Sequence, residues 1–202
     1  MRIIFQQSLN IIWKGQKIVQ TDSSSISLEQ FKEIRNRWRE QIAAVEIAKI
    51  KEWQKANDLT KAYTDAKRNQ YIVQTLVDKK MRYKLLSTEH IVLIGCGMYP
   101  YSLFDLHKQY PDIKSIGIEV DNNRALIAKK LISCSPAKDK IKIVNEDGIN
   151  YDYSWLGIDD LVFVSVDVEI EKTILEKVIM TSKASPFLCA PYHSAWRKAY
   201  LR

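Results

Sequence analysis

A buried strand that runs into a glycine turn constrains this chain more than any other feature: Ile91-Val92-Leu93-Ile94-Gly95-Cys96-Gly97-Met98-Tyr99-Pro100-Tyr101-Ser102. Four consecutive apolar residues, three of them β-branched, lead into Gly-x-Gly and then an amphipathic run. That is the strand, loop and helix start of a nucleotide-binding βαβ unit. Glycine there serves one of two ends. It lets the backbone approach a ligand, or it only supplies the positive φ of a tight strand-to-helix turn.

The next stretch favours a ligand. Ser115-Ile116-Gly117-Ile118-Glu119-Val120-Asp121 is a second strand ending in carboxylates, about twenty residues after the loop, where such folds place an acid that bonds ribose hydroxyls. Glu119 supplies the bidentate acceptor that a vicinal diol needs, with Val120 beside it. The third glycine of a dinucleotide fingerprint would fall at Pro100, and proline removes an N–H that could face a pyrophosphate while suiting a first helical turn. The loop therefore suits a nucleoside ligand without phosphates better than NAD.

From His90 onward, strand and helix patterns alternate. Helices are expected from Tyr101 to Tyr110, Asn122 to Ser133, with Ala125, Leu126, Ala128 and Leu131 apolar, and Glu169 to Ser182. Further strands are expected at Ile141–Val144, Leu161–Val166 and Pro186–Ala190. Successive βα units imply a parallel sheet with right-handed crossovers, so the fold class is α/β, a doubly wound Rossmann-like sheet behind a helical N-terminal segment. Ligands in such sheets bind beyond the carboxyl ends of the strands, where the strand order reverses. That rule selects Gly95 to Ser102, Glu119 with Asp121, Asn145-Glu146-Asp147-Gly148, Ser165 to Glu169, and Pro191 to Trp196. Asp147 stands where an acid could accept from an adenine amine, and Gly148 would leave room for the ring. All four residues of that stretch are also turn formers.

The N-terminal part reads differently. Residues 1–26 are expected to be an extension or linker, 27–88 a helical hairpin, and 89–202 the ligand-binding domain. Ser27 and Gln30 have capping-box spacing, and Ile26 with Phe31 is placed as a hydrophobic staple. Leu28, Phe31, Ile34, Trp38, Ile42, Val45 and Ala48 then recur on one face of the first helix. Tyr63, Ala66, Val73, Leu76, Val77 and Met81 form the stripe of the second. Such a hairpin cannot bury its stripes alone and should pack against the domain that follows. Residues 1–90 hold 17 Lys and Arg against 10 Asp and Glu, whereas residues 91–202 hold 14 of each, so the excess behind the net charge of +7 lies in the helical part. Modest excesses of this kind are usually solvated helix faces, and nucleic acid is not the expected partner. No uninterrupted apolar run suggests a membrane span, and a cytoplasmic protein is expected, with a homodimer as its oligomeric form. Cys96, Cys134 and Cys189 are widely spaced and read as thiols, and no zinc-ligand spacing is present.

Gly95-x-Gly97, the acid at Glu119 and Asp147 together resemble class I S-adenosylmethionine-dependent methyltransferases over residues 90 to 190. Within that superfamily, Gly95 to Ser102 is similar to the Gly-x-Gly-Pro-x-Pro-x-Thr/Ser loop of nicotianamine synthases and related opine-metallophore synthases. Leu161 to Val178 resembles that family's fourth strand and following helix, and Ser194-Ala195-Trp196-Arg197 its small-x-Arg segment. The chain departs from the pattern at Met98, where the synthases tend to have a first proline, at Tyr200, which is offset from the family's tyrosine, and in stopping soon after the fifth strand.

The resemblance implies S-adenosylmethionine as cofactor, held by Gly95, Cys96, Gly97, Pro100, Ser102, Glu119, Val120, Asp147, Gly148 and Ser165. It implies a small-molecule substrate, an amino acid, and transfer of an aminobutanoyl group to its amine. Methyl transfer to a small molecule is the alternative, and a non-catalytic binding module with a basic helical surface is a third reading. An amine nucleophile must lose a proton, and Tyr151, Tyr153, Asp167, Tyr192 and His193 lie on loops expected to line the acceptor side. Of these, Tyr192 and His193 are the catalytic candidates, with Asp78 the nearest counterpart of the family's N-terminal catalytic glutamate. Tyr151, Asp167 and Arg197 are the substrate-binding candidates, Arg197 by a bidentate pair to a carboxylate.

Overall fold

A computed structural model of the chain describes residues 12–13, 16–17, 28–66, 82–165, 168 and 171–189. The chain divides into two compact units, Met1–Ala43 with Pro191–Arg202, and Ala44–Ala190. In the first unit, β1 (Ile12–Trp13) pairs antiparallel with β2 (Gln16–Lys17). The long helix α1 (Leu28–Lys55) begins in that unit and ends in the second. Ser27, the expected N-cap, lies outside the described residues, as do Val73, Leu76, Val77 and Met81 of the expected second stripe.

The second unit is built on five parallel strands: β3 (His90–Ile94), β4 (Lys114–Glu119), β5 (Ile141–Asn145), β6 (Leu161–Ser165) and β7 (Ser185–Cys189), in the order β5-β4-β3-β6-β7. Helices α3 (Tyr101–Gln109), α4 (Asn122–Ser133) and α5 (Glu171–Thr181) alternate with them. A short helix α2 (Lys61–Thr64) and a 3-10 turn (Arg82–Leu86) precede the sheet. This is the expected doubly wound Rossmann-like sheet, and the order reverses between β3 and β6.

The central strands are apolar on both faces because helices cover both. Ile91, Val92 and Ile94 of β3 and Leu161 to Val164 of β6 are buried, and β6 stacks Phe163 on Phe187 of β7 with ring centroids 5.3 Å apart. Tyr153, Leu156, Ile174 and Val178 close the core on the α5 side. In α4 the inward residues are Ala125, Ala128, Leu131 and Ile132, while Leu126, expected on that stripe, is 54% exposed.

The face that α1 turns inward also differs from expectation. Among residues 44–55, Glu46, Ile50 and Trp53 are buried, spaced as one helical face, whereas Val45 is 39% exposed and Ala48 is exposed. The inward face is set by what it meets. Trp53 packs edge-on against Tyr99 at 5.2 Å and donates from Nε1 to Asp65 Oδ2 at 3.3 Å. Tyr99 in turn donates to the Ala62 carbonyl at 2.9 Å. Tyr63 packs on Phe104 and bonds His107 Nδ1 at 2.9 Å, and Lys108 caps the carbonyls of Thr64 and Ala66. Residues 44–66 thereby clasp the turn before α3 and the outer side of that helix. Among the described residues no helix is long and apolar enough to cross a membrane.

Candidate functional site

The candidate site lies at the carboxyl end of β3, beside the reversal of strand order. Gly95 and Gly97 both have positive φ, 76° and 73°, a conformation that costs L-residues with a side chain about 1–2 kcal/mol. Gly95 N–H and Cys96 N–H both donate to Ile118 O, at 2.9 and 3.2 Å, which folds the turn back onto β4. At Gly95 there is also no space, since a Cβ would stand 2.7 Å from Val168 Cγ2 and 3.3 Å from Ser165 Cβ. Gly97 is different. A Cβ there would meet nothing nearer than Glu46 Oε2 at 3.9 Å and an Arg124 guanidinium nitrogen at 4.0 Å.

The turn is tied to the acid that ends β4. Glu119, 5% exposed, accepts Gly97 N–H through Oε2 at 2.9 Å and Asp121 N–H through Oε1 at 3.1 Å. A carboxylate has about four lone-pair sites, so these two bonds leave acceptor capacity for a diol. Asp121 caps α4 by accepting Arg124 N–H at 2.9 Å, and Val120 between the two acids is 67% exposed. Asn145 at the end of β5 donates to the carbonyls of Glu119 and Val120, at 2.9 and 3.1 Å, and so fixes the segment that carries the acid.

Cys96 contributes backbone rather than thiol. Its sulfur turns inward, to 2.9 Å from where a Cβ on Gly117 would stand, so Gly117 makes room for it. Burial pushes the thiol well above its usual pKa, and Glu119 and Glu46 add to the shift while Arg124 opposes it. Met98 and Tyr99 are likewise buried, and Pro100 precedes α3 with its carbonyl accepting Leu103 and Phe104 N–H. Ser102 is half-buried in the first turn of α3.

Asp147 and Gly148 follow β5 in a turn. Asp147 Oδ1 accepts Ile149 N–H at 2.9 Å, and its carbonyl accepts Asn150 and Tyr151 N–H. The space beside Gly148, expected to admit an adenine ring, is taken by the protein's own core. A Cβ there would stand 2.8 Å from Ile94 Cγ2, 3.0 Å from Ile174 Cδ1 and 3.5 Å from the Tyr153 hydroxyl, which donates to Gly148 O at 2.7 Å. Tyr151 is half-buried against Tyr153, and burial raises its pKa. Ser165 ends β6 and accepts Val168 N–H at 3.0 Å through its carbonyl. Asp78, Asp167, Tyr192, His193 and Arg197 lie outside the described residues. Among the described residues, no group of three His, Cys, Asp or Glu side chains could hold a metal ion.

Glu46 was not expected here. It is 7% exposed and reaches the glycine turn from α1, opposite Arg124, whose Nε is buried with no hydrogen-bond partner among the described residues. The signal available was its spacing, four and seven residues before Ile50 and Trp53.

No family model and no curated protein matches the sequence. Solved structures do. The plantazolicin methyltransferase BpumL in complex with SAH is similar at 19% identity, over 70% of this chain and 60% of that one, with a TM-score of 0.45. The StiE O-MT is 16% identical over 61% of this chain and 47% of its own, with a TM-score of 0.41. A mutant of the nicotianamine synthase MtNAS in complex with S-adenosylmethionine is 15% identical over 61% and 51%, with a TM-score of 0.40. This chain spans about half the length of the first structures it matches.

Proposed function

We propose that this chain is an S-adenosylmethionine-dependent transferase that moves an aminobutanoyl group onto an amino-acid amine. The observation that carries the reading is the bond from Gly97 N–H to the Glu119 carboxylate at the reversal of strand order. It joins the two features that a nucleoside site of this fold needs, a backbone open to close approach and an acid for the ribose hydroxyls. Gly95, Cys96 and Gly97 would present their backbone to the cofactor, Val120 and Asp147 would flank the adenine, and Ser102 and Ser165 would border the amino-acid portion. Gly148 enters only through its backbone. Pro100 supports aminobutanoyl transfer in particular, since the likeness to the synthase loop rests on it.

S-adenosylmethionine is a sulfonium with three activated carbons. The amine lone pair attacks one of them in line, the new N–C bond forms as the C–S bond breaks, and the bonding pair passes to sulfur, leaving an uncharged thioether. The new N–C bond leaves nitrogen as a substituted ammonium, which gives up one of its own protons to a base. Which carbon reacts is decided by alignment, an effect worth about 7–11 kcal/mol. Tyr151 and Arg197 are proposed to hold the acceptor, and Tyr192, His193 or Asp78 to take the proton.

The leaving group reports the carbon. Incubating the protein with S-adenosylmethionine and a panel of amino acids, then analysing nucleosides by mass spectrometry, should give methylthioadenosine above the enzyme-free background, with less from Arg197→Ala. S-adenosylhomocysteine alone would establish methyl transfer instead. Tight binding with neither nucleoside would favour a non-catalytic module.

A further inference from the structure

We infer that the edge of the second unit opposite the candidate site docks a second copy of this chain. Six of the ten large apolar side chains exposed among the described residues lie on three segments that lead into β3, β6 and β7: Tyr83 and Leu86, Trp155 and Ile158, Ile179 and Met180. Three residues apart on the 3-10 turn, Tyr83 and Leu86 share one face. Hydrogen bonds tie the segments side by side. Thr88 Oγ1 donates to Asp159 O at 3.0 Å and Ser87 Oγ to Asp159 Oδ1 at 3.5 Å, Lys183 N–H donates to Leu156 O at 3.4 Å, and Trp155 packs edge-on against His90 at 5.2 Å. The patch is thus fixed before a partner arrives, which lowers the ordering cost of association. At roughly 200 Å² for a bare side chain of this size, six residues 43 to 86% exposed present on the order of 800 Å², what each partner of a standard-size interface buries. The border identifies the occupant. Its described charges are Lys84, which bonds Ser185 Oγ at 2.6 Å, and Lys183, against Glu89 and Asp159. Balanced in this way, it has no net charge with which to draw a polyanion or an anionic membrane. An isologous contact has to be self-complementary, and two lysines beside two acids meet that condition, since a two-fold pairing can set the lysines of one copy against the acids of the other. Because the strands are parallel, their amino and carboxyl ends lie on opposite edges of the sheet, so a dimer joined here leaves the candidate site of each copy uncovered by its partner.

Sedimentation equilibrium on the full chain tests this. The natural protein should be a dimer that dissociates on dilution. Leu86→Glu and Met180→Glu, each of which puts a carboxylate into the apolar contact on both copies, should weaken the dimer about tenfold or more. Leu126→Glu, on the exposed apolar surface of α4, should leave it unchanged. A natural chain that stays monomeric at every concentration overturns the inference, and so does a dimer that Leu86→Glu and Met180→Glu both leave intact, or one that Leu126→Glu weakens equally. If neither patch variant shows a cooperative melt, hydroxyl-radical footprinting of the natural protein decides. Labelling of Met180 should fall as concentration rises and the dimer forms, and labelling that stays constant overturns the inference.

Discussion

Gly97 and Gly148 lie on the two sides of the same sheet end, and each lacks a side chain for a different reason. At Gly97 the vacant position faces charged atoms at ordinary contact distance, 3.9 and 4.0 Å, and the backbone has positive φ. At Gly148 it faces methyl groups at 2.8 and 3.0 Å. One glycine leaves backbone accessible beside an acid, and the other lets the β3 and α5 side chains meet beneath a turn. The same residue type thus lies in a candidate site in one place and in a tightly filled core in the other.

The contrast can be broken by substitution. Gly148→Ala should produce the largest change, a loss of about 3 kcal/mol of stability from overpacking against Ile94 and Ile174, read by denaturant unfolding. Cofactor affinity measured where the variant is still folded should be unchanged, and a large affinity loss there would move Gly148 from core to site. Glu119→Ala should cost about 2 kcal/mol of S-adenosylmethionine affinity by calorimetry, through the lost hydroxyl bonds and the released Gly97 N–H. An unchanged Kd would place the ribose elsewhere. Gly97→Ala should be gentler on stability, about 1 kcal/mol, because positive φ is strained but no atom collides; its affinity loss should exceed its stability loss.

Near neutral pH, proton release separates the two regions least. Tyr99 beneath the glycine turn and Tyr153 beneath Gly148 are both held above the ordinary tyrosine value of 10.0, chiefly by burial. A folded-state value above the unfolded one means stability that is complete below the unfolded value and declines as pH rises past it. Thermal melts should be flat with respect to these groups up to about pH 10 and fall above it. Tyr99→Phe and Tyr153→Phe should each flatten that limb, and a limb indifferent to both would locate the alkaline sensitivity in other residues.

The sequence made the sheet legible because its strands are short apolar runs with turn residues between them, and because Gly95, Gly97 and Glu119 fall at fixed offsets from two of them. The expected helices from Tyr101, Asn122 and Glu169 and the expected strands differ from the structure by only a residue or two at their ends. What the sequence concealed has a common cause: periodicity weighs residues by hydrophobicity. Glu46 looks solvent-facing by that measure, so the apolar periodicity runs through Val45 and Ala48, which are exposed, instead of Glu46, Ile50 and Trp53. Gly148 misled in the converse way, since Asn145-Glu146-Asp147-Gly148 is polar turn chemistry whose last member is oriented to a core that only the long-range approach of Ile174 creates.

The thiol of Cys96 turns the glycine turn into its own reporter. Buried and held above its usual pKa, it offers almost no thiolate while the turn is closed, whereas Cys134, at the C-terminal end of α4, is only half-buried. Alkylating reagents attack the thiolate, so mass-mapped labelling in the native protein should mark Cys134 well before Cys96. The lag is a clock for how often the turn opens, and a ligand that braces Gly97 should slow that clock without touching sulfur.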